Sequence, residues 1–181
     1  MSERSLREQT LAAIEPAPTA PKAAVRDFYD DYAGLLDDGD FEAWLELFTA
    51  DCQYQVMARE NFERGLPLAT MRCDSRAMLA DRIAAIRNTQ FFAPRTLRHF
   101  VSGVRLKPPA PDESAGTGAE GSFEATANFL VTETFFDGPS ALHTVGQYVD
   151  RFVWSQGRLL LQSKMAVYDA GLVTTSLVYP L

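Results

Sequence analysis

Thr96–Leu106, TLRHFVSGVRL, is the stretch on which the reading of this chain turns. Its β-branched, aromatic and aliphatic residues predict a strand, with Pro94 just ahead of it and Pro108-Pro109 stopping it. Upstream the apolar residues recur at helical spacing; downstream they alternate. A strand here therefore joins a helical first half to the sheet that follows. It also carries His99, one of two histidines in the 181 residues, set between Arg98 and Phe100. In an enzyme His99 is the acid–base candidate. In a protein without chemistry of its own, Arg98 and His99 are structural or interface residues.

Working downstream, residues 107–120 (KPPAPDESAGTGAE) combine Pro, Gly, Ala and acidic side chains with nothing to pack, which predicts a mobile loop. SFEATANFLVTETFF then alternates Phe123, Ala125, Ala127, Phe129 and Val131 against Glu124, Thr126 and Asn128. Asp137-Gly138 marks a turn, ALHTVGQYVDRFVW is the next strand, and Ser155-Gln156-Gly157 is a tight hairpin connection. In RLLLQSKMAVYD, Arg158, Gln162 and Lys164 fall on one side, and Leu159, Leu161, Met165 and Val167 on the other. Long strands joined by short turns make an antiparallel meander. The ending, AGLVTTSLVYPL, is apolar. Burying each large side chain of this kind contributes on the order of 1.5–3 kcal/mol, so the segment either folds back on its own sheet or docks on a partner.

Working upstream, residues 1–21 form an arm interrupted by Pro16, Pro18 and Pro21. Val25, Phe28, Tyr29, Tyr32, Leu35 and Leu36 follow one helical face up to Gly39, a C-terminal stop. Asp40 caps a second, short helix with an apolar stripe of Phe41, Trp44, Leu45 and Phe48. CQYQVMA reads as a strand, and RENFERGLPLATMRCD as an ordered excursion without a clear period. Asp74 is the expected N-cap of a third helix, in which Met78, Leu79, Arg82, Ile83 and Ile86 share a face. Arg82 there either meets a buried carboxylate or reaches out to water.

Composition narrows the function. A net charge of −7 without a basic run disfavours nucleic acid. No apolar run approaches the ~20 residues of a bilayer span, and MSERSLREQT lacks the apolar core of a signal peptide, so a cytoplasmic protein is expected. Cys52 and Cys73 have no paired spacing and read as buried free thiols. His99 and His143 lie on separate strands, with His143 expected at the surface or an interface. Iron or zinc sites take two or three imidazoles with a carboxylate, so no metal or cofactor site is expected in this chain.

Helices first and a long antiparallel sheet after make an α+β domain. The expected form is a cone over residues 22–170, its curved sheet wrapped round the third helix and plugged by the first two, with 171–181 as a docking tail. This architecture resembles ketosteroid isomerase and scytalone dehydratase, in the cystatin-like group. Cone enzymes work inside the sheet, so one reading is a free-standing dehydratase or isomerase with His99 as general base, oriented by Asp81, Asp51 or Tyr54. A ligand-binding cone without chemistry is another, and leaves the apolar ending unexplained. The structural reading instead has Arg98 and His99 bonded to carboxylates or carbonyls at the sheet rim or a subunit contact, with Arg82, Leu177, Tyr179 and Leu181 as further structural or interface candidates.

The segments FYDDYAGLLDDGDFEAWLELFTADCQYQV, ARENFERGLPL, DSRAMLADRIAAIR and LRHFVSGVRL, in this order, resemble the small (β) subunit of aromatic-ring-hydroxylating dioxygenases. The likeness runs over roughly 25–181 without the 107–120 loop. RENFERGLPL and VYDAGLVTTSLVYPL are most similar to small subunits acting on salicylate and, less closely, terephthalate. The resemblance implies a non-catalytic partner in an α3β3 complex. There the large α subunit carries a Rieske [2Fe–2S] cluster and a mononuclear iron, a β3 trimer forms the base, and electrons come from NADH. The expected substrate is an aromatic carboxylate.

Overall fold

A computed structural model describes residues 21–88, 93–107, 121–171 and 177–181. The arm over 1–20, the loop over 108–120 and the first part of the tail, 172–176, lie outside the described residues, so the expectations placed on them are not tested.

Helix α1 (Pro21–Asp38) starts on proline, whose fixed φ suits the first helical position, and buries Val25, Phe28, Tyr29, Tyr32 and Leu36. Gly39 ends it in the left-handed region at φ 71. The Gly39 and Asp40 N–H groups then bond Leu36 O and Leu35 O at 3.2 and 2.9 Å, satisfying the last carbonyls of the helix. Asp40 caps α2 (Phe41–Leu45), its carboxylate accepting from Ala43 N. Phe48, expected on that helical stripe, is instead the first residue of β1 (Phe48–Ala58).

The aperiodic excursion resolves into α3 (Arg59–Glu63) and a short strand, β2 (Ala69–Cys73), which pairs antiparallel with β1. Helix α4 (Arg76–Asn88) is capped by Ser75, whose Oγ accepts from Met78 N at 3.2 Å. Asp74, the expected cap, is drawn away by Arg72 at 2.8 Å. Met78, expected on the apolar face, is exposed, its Sδ accepting from Asp74 N at 3.3 Å, while Leu79, Ile83 and Ile86 are buried.

Strands β3 (Arg95–Leu106), β4 (Ser122–Phe135), β5 (Ser140–Ser155) and β6 (Arg158–Tyr168) form the antiparallel meander. The β5–β6 turn has positive φ at both Gln156 and Gly157, which matches the twist of its flanking strands. The six-stranded sheet has the order β2-β1-β6-β5-β4-β3 and is curved and unclosed. One pair departs from the antiparallel rule: β1 runs parallel to β6.

The cone is present, but its filling differs from expectation. The helix against the middle of the sheet is α1, with Phe28 edge-on to Phe152 and Tyr29 stacked at 5.8 Å on Tyr148. Helix α4 packs against the β1–β2 side. The reason is in the side chains: α1 carries aromatic rings long enough to reach the sheet centre, whereas α4 carries Leu and Ile.

Candidate functional site

Two buried polar clusters lie in the sheet. The first is at the β3 edge, where His99 faces inward from its strand. Asp37, in the last turn of α1, bonds His99 Nδ1 at 2.7 Å and accepts from His99 N at 3.0 Å. Arg98 Nη1 stands 3.7 Å from the other Asp37 oxygen. One carboxylate therefore ties α1 to β3 and occupies a main-chain donor of an edge strand, where an unpaired N–H invites another chain to pair. The expected orienting groups Asp81, Asp51 and Tyr54 do not hold His99; the partner is Asp37. The His99 side chain is 1% exposed. Its Nε2, the atom that would have to reach a substrate, is buried without a hydrogen-bond partner among the described residues.

Two residues along, Glu133 on β4 binds Arg95 at 3.1 Å and stands 3.5 Å from His143 Nδ1, with all three side chains buried. The His143 side chain is thus buried within the chain, not at the free surface that is one of its two expected places. Burial pushes its pKa down, and Glu133 opposes that push. A nearby cleft of about 180 Å³ between α1 and β3 is walled by Arg26, Asp30 and residues 101–104, and His99 is not among its walls.

The second cluster is central. Lys164 Nζ binds Asp150 at 3.0 Å, and both side chains are fully buried. Tyr29 donates to the same carboxylate at 2.7 Å, and Met165 N to its other oxygen at 3.2 Å. The ammonium lies 3.2 Å from the centre of the Tyr148 ring and 4.4 Å from that of Tyr32. Burial brings the Lys164 pKa down to about 8, against the pull of Asp150, and raises that of Asp150. The expectation that Lys164 points outward with Arg158 and Gln162 fails because a bulge at Gln162 changes the parity of β6: Leu161 pairs with Phe152, but Ser163 with Arg151.

The remaining candidates meet elsewhere. Arg82 Nη2 donates to Leu177 O and Val178 O, both at 3.2 Å, so it meets main-chain carbonyls rather than the expected carboxylate or water. Tyr179 stacks on Phe41. Leu181 is buried at 1% exposure, its O accepting from Tyr32 at 2.6 Å and its N donating to Tyr54 at 2.8 Å. Residues 177–181 thus fold back on the chain itself, one of the two expected alternatives, with Val178 and Leu181 buried and Leu177 and Tyr179 half-buried.

Two Cys and two His are the number a Rieske cluster takes, so their placement matters. Cys52 and Cys73 sit on β1 and β2, His99 and His143 on β3 and β5, toward opposite edges of the sheet. Burial also pushes the Cys52 thiol up to about 11, away from the thiolate that binds metal. The residues do not fit such a cluster. Among the described residues no three His, Cys, Asp or Glu side chains converge as a metal-binding group.

Asp37, Glu133 and Asp150 went unnoticed in the sequence, and Lys164 was placed on the wrong face. Asp37 is one of many acidic residues on α1, and only the fold brings it to β3. The tyrosines did carry a signal, since 29 and 32 share a helical face and 54 and 148 fall on inward strand positions.

Both clusters tie α1 to the sheet. Residues 32–175 match the model of the family described as "Ring hydroxylating beta subunit". The chain is 31% identical to the anthranilate 1,2-dioxygenase small subunit of Burkholderia cepacia, covering 83% of this chain and 88% of that one. It is also 31% identical to the beta 2 subunit of the terminal oxygenase component of terephthalate 1,2-dioxygenase from a Comamonas species, over 83% and 92% of the two chains. A crystal structure from Novosphingobium aromaticivorans, assigned as the beta subunit of an aromatic-ring-hydroxylating dioxygenase, superposes with a TM-score of 0.75. That chain is 37% identical, over 89% of this chain and 97% of that one. A sheet built around internal ties, the family model and these relatives agree: the chain belongs to the ring-hydroxylating dioxygenase beta subunits.

Proposed function

We propose that this chain is the non-catalytic β subunit of an NADH-dependent oxygenase acting on an aromatic carboxylate, and that it scaffolds a large α subunit holding a Rieske [2Fe–2S] cluster and a mononuclear iron. The observation that carries the non-catalytic part is the state of His99. A general base needs its free nitrogen within hydrogen-bond reach of a substrate proton, and the imidazole here is 1% exposed and engaged by Asp37. The substrate class rests on two relatives whose names specify anthranilate and terephthalate, both aromatic carboxylates. The assembly is an α3β3 complex on a β3 base in the cytoplasm.

The outer face of the sheet supports assembly. Phe100, Leu142 and Val145 are exposed there, and Phe100 lies in register with Leu130, which in turn pairs with Val145. A solvated face of an antiparallel sheet is ordinarily polar, and exposed apolar groups in a row mark contact surfaces.

Purifying the chain from its native source tests the reading. The expected companion is a larger polypeptide with the visible absorption of an iron–sulfur cluster. Recovery as a single component that converts an aromatic acid by itself would overturn it.

A further inference from the structure

We propose that the buried triad of Lys164, Asp150 and Tyr29 is a register pin that selects the bulged pairing of β6 over a regular one. Beyond Leu161 this strand has two ways to continue. With Gln162 looped out, Lys164, Ala166 and Tyr168 face the helices, opposite Asp150, Tyr148 and Gly146. Without the bulge every later residue changes face. Ser163, Met165 and Val167 would then turn inward, and Lys164 would reach water.

The regular pairing would leave the Lys164 ammonium in water and turn Met165 inward in exchange for Ala166 and Tyr168, which are buried in the bulged one. A buried ion pair commonly stabilises no more than a well-packed apolar replacement. The bulged pairing is nonetheless the one adopted, and the triad supplies contacts that only this pairing can make. Lys164 reaches Asp150 at 3.0 Å only from the inward face. Asp150 also accepts from Met165 N at 3.2 Å, so the carboxylate grips the β6 main chain three residues past the bulge. Tyr29 fixes that carboxylate from α1 at 2.7 Å. In the regular pairing Asp150 would be left inward, facing Ser163 and without its cation, which is strongly unfavourable for a buried charge. The pair therefore acts by penalising the alternative.

The test removes the two groups that hold Lys164 inward, Asp150→Leu with Tyr29→Phe in the whole chain, and keeps Lys164, whose ammonium then reaches water only in the regular pairing. A reporter thiol is added at one of two sites, by Met165→Cys or Ala166→Cys, and its alkylation is read by peptide mass spectrometry. In the parent, position 166 is buried and position 165 half-buried, so the thiol at 165 is expected to react faster. This apolar variant is expected to keep a cooperative urea transition. In it, the thiol at position 166 is expected to alkylate at least tenfold faster, and the thiol at position 165 to become slower. An apolar variant that keeps the parent's labelling pattern overturns the proposal. So does one that fails to fold, because the triad would then supply stability rather than register.

Discussion

The central cluster and the edge cluster are both built on a carboxylate that bridges α1 and the sheet, yet they stand in different surroundings. Asp150 and Lys164 have no exposed side-chain surface, and their neighbours are tyrosine rings and main chain. Asp37 is 13% exposed, and its second cation, Arg98, is 56% exposed. Where water is absent, losing one partner strands a charge; where water is near, it can take the partner's place. The same chemical motif is thus a rigid core element in one location and a rim tie in the other.

That contrast can be broken by measurement. Asp150→Ala leaves the Lys164 ammonium buried without its partner and is expected to cost about 3–5 kcal/mol in urea unfolding. A loss below about 1 kcal/mol would show that the ammonium finds water, either at the centre or by β6 slipping to the regular pairing. Asp37→Ala removes the acceptor for both His99 N and Nδ1 and is expected to cost about 1–3 kcal/mol. If it costs as much as Asp150→Ala, the two clusters are not different in kind.

The contrast extends to pH. The native Lys164 pKa, about 8, lies below that of a free lysine, so between about pH 8 and 10.5 the unfolded chain holds a proton that the native chain has released. This group's contribution to stability therefore rises with pH across that window. Above about 10 the rise is offset, because Tyr29, Tyr32, Tyr54 and Tyr148 are held protonated by burial while their unfolded counterparts ionise. Melting temperatures from pH 7 to 10 should rise more, or fall less, in the parent than in Lys164→Met, since the buried thiols Cys52 and Cys73 contribute the same falling component to both. Equal slopes would remove the reading of Lys164. The smallest effect is expected at Arg64–Glu60, an exposed pair one helical turn apart. Arg64→Ala there should change stability by less than about 0.5 kcal/mol.

How much of this was legible beforehand follows from the range of the interactions. The β3–β6 meander, the Gly39 stop and the Asp40 cap are written in local pattern and turn chemistry, and they appear where the sequence places them. The β1–β6 parallel pairing was not legible, since it joins residues more than a hundred positions apart. Lys164 was misplaced for a sharper reason. Alternation read through 158–167 presumes an unbroken period of two, and one looped-out residue, Gln162, reverses it. His99 was legible as a residue to examine, but its partner Asp37 lies 62 positions away. The cap at Ser75 rather than Asp74 turned on a local competition, since Arg72, two residues away, takes the Asp74 carboxylate.

The central claim is that this polypeptide supports oxidative chemistry carried by a partner. The most direct measurement compares purified chain alone with the same chain reconstituted with its large subunit, under NADH, the reductase and an aromatic carboxylate. The account predicts no stoichiometric iron and no hydroxylated product from the chain alone, and product per α-bound iron from the complex. Iron in stoichiometric amount on the isolated chain, or product formed by it without the partner, would contradict the account.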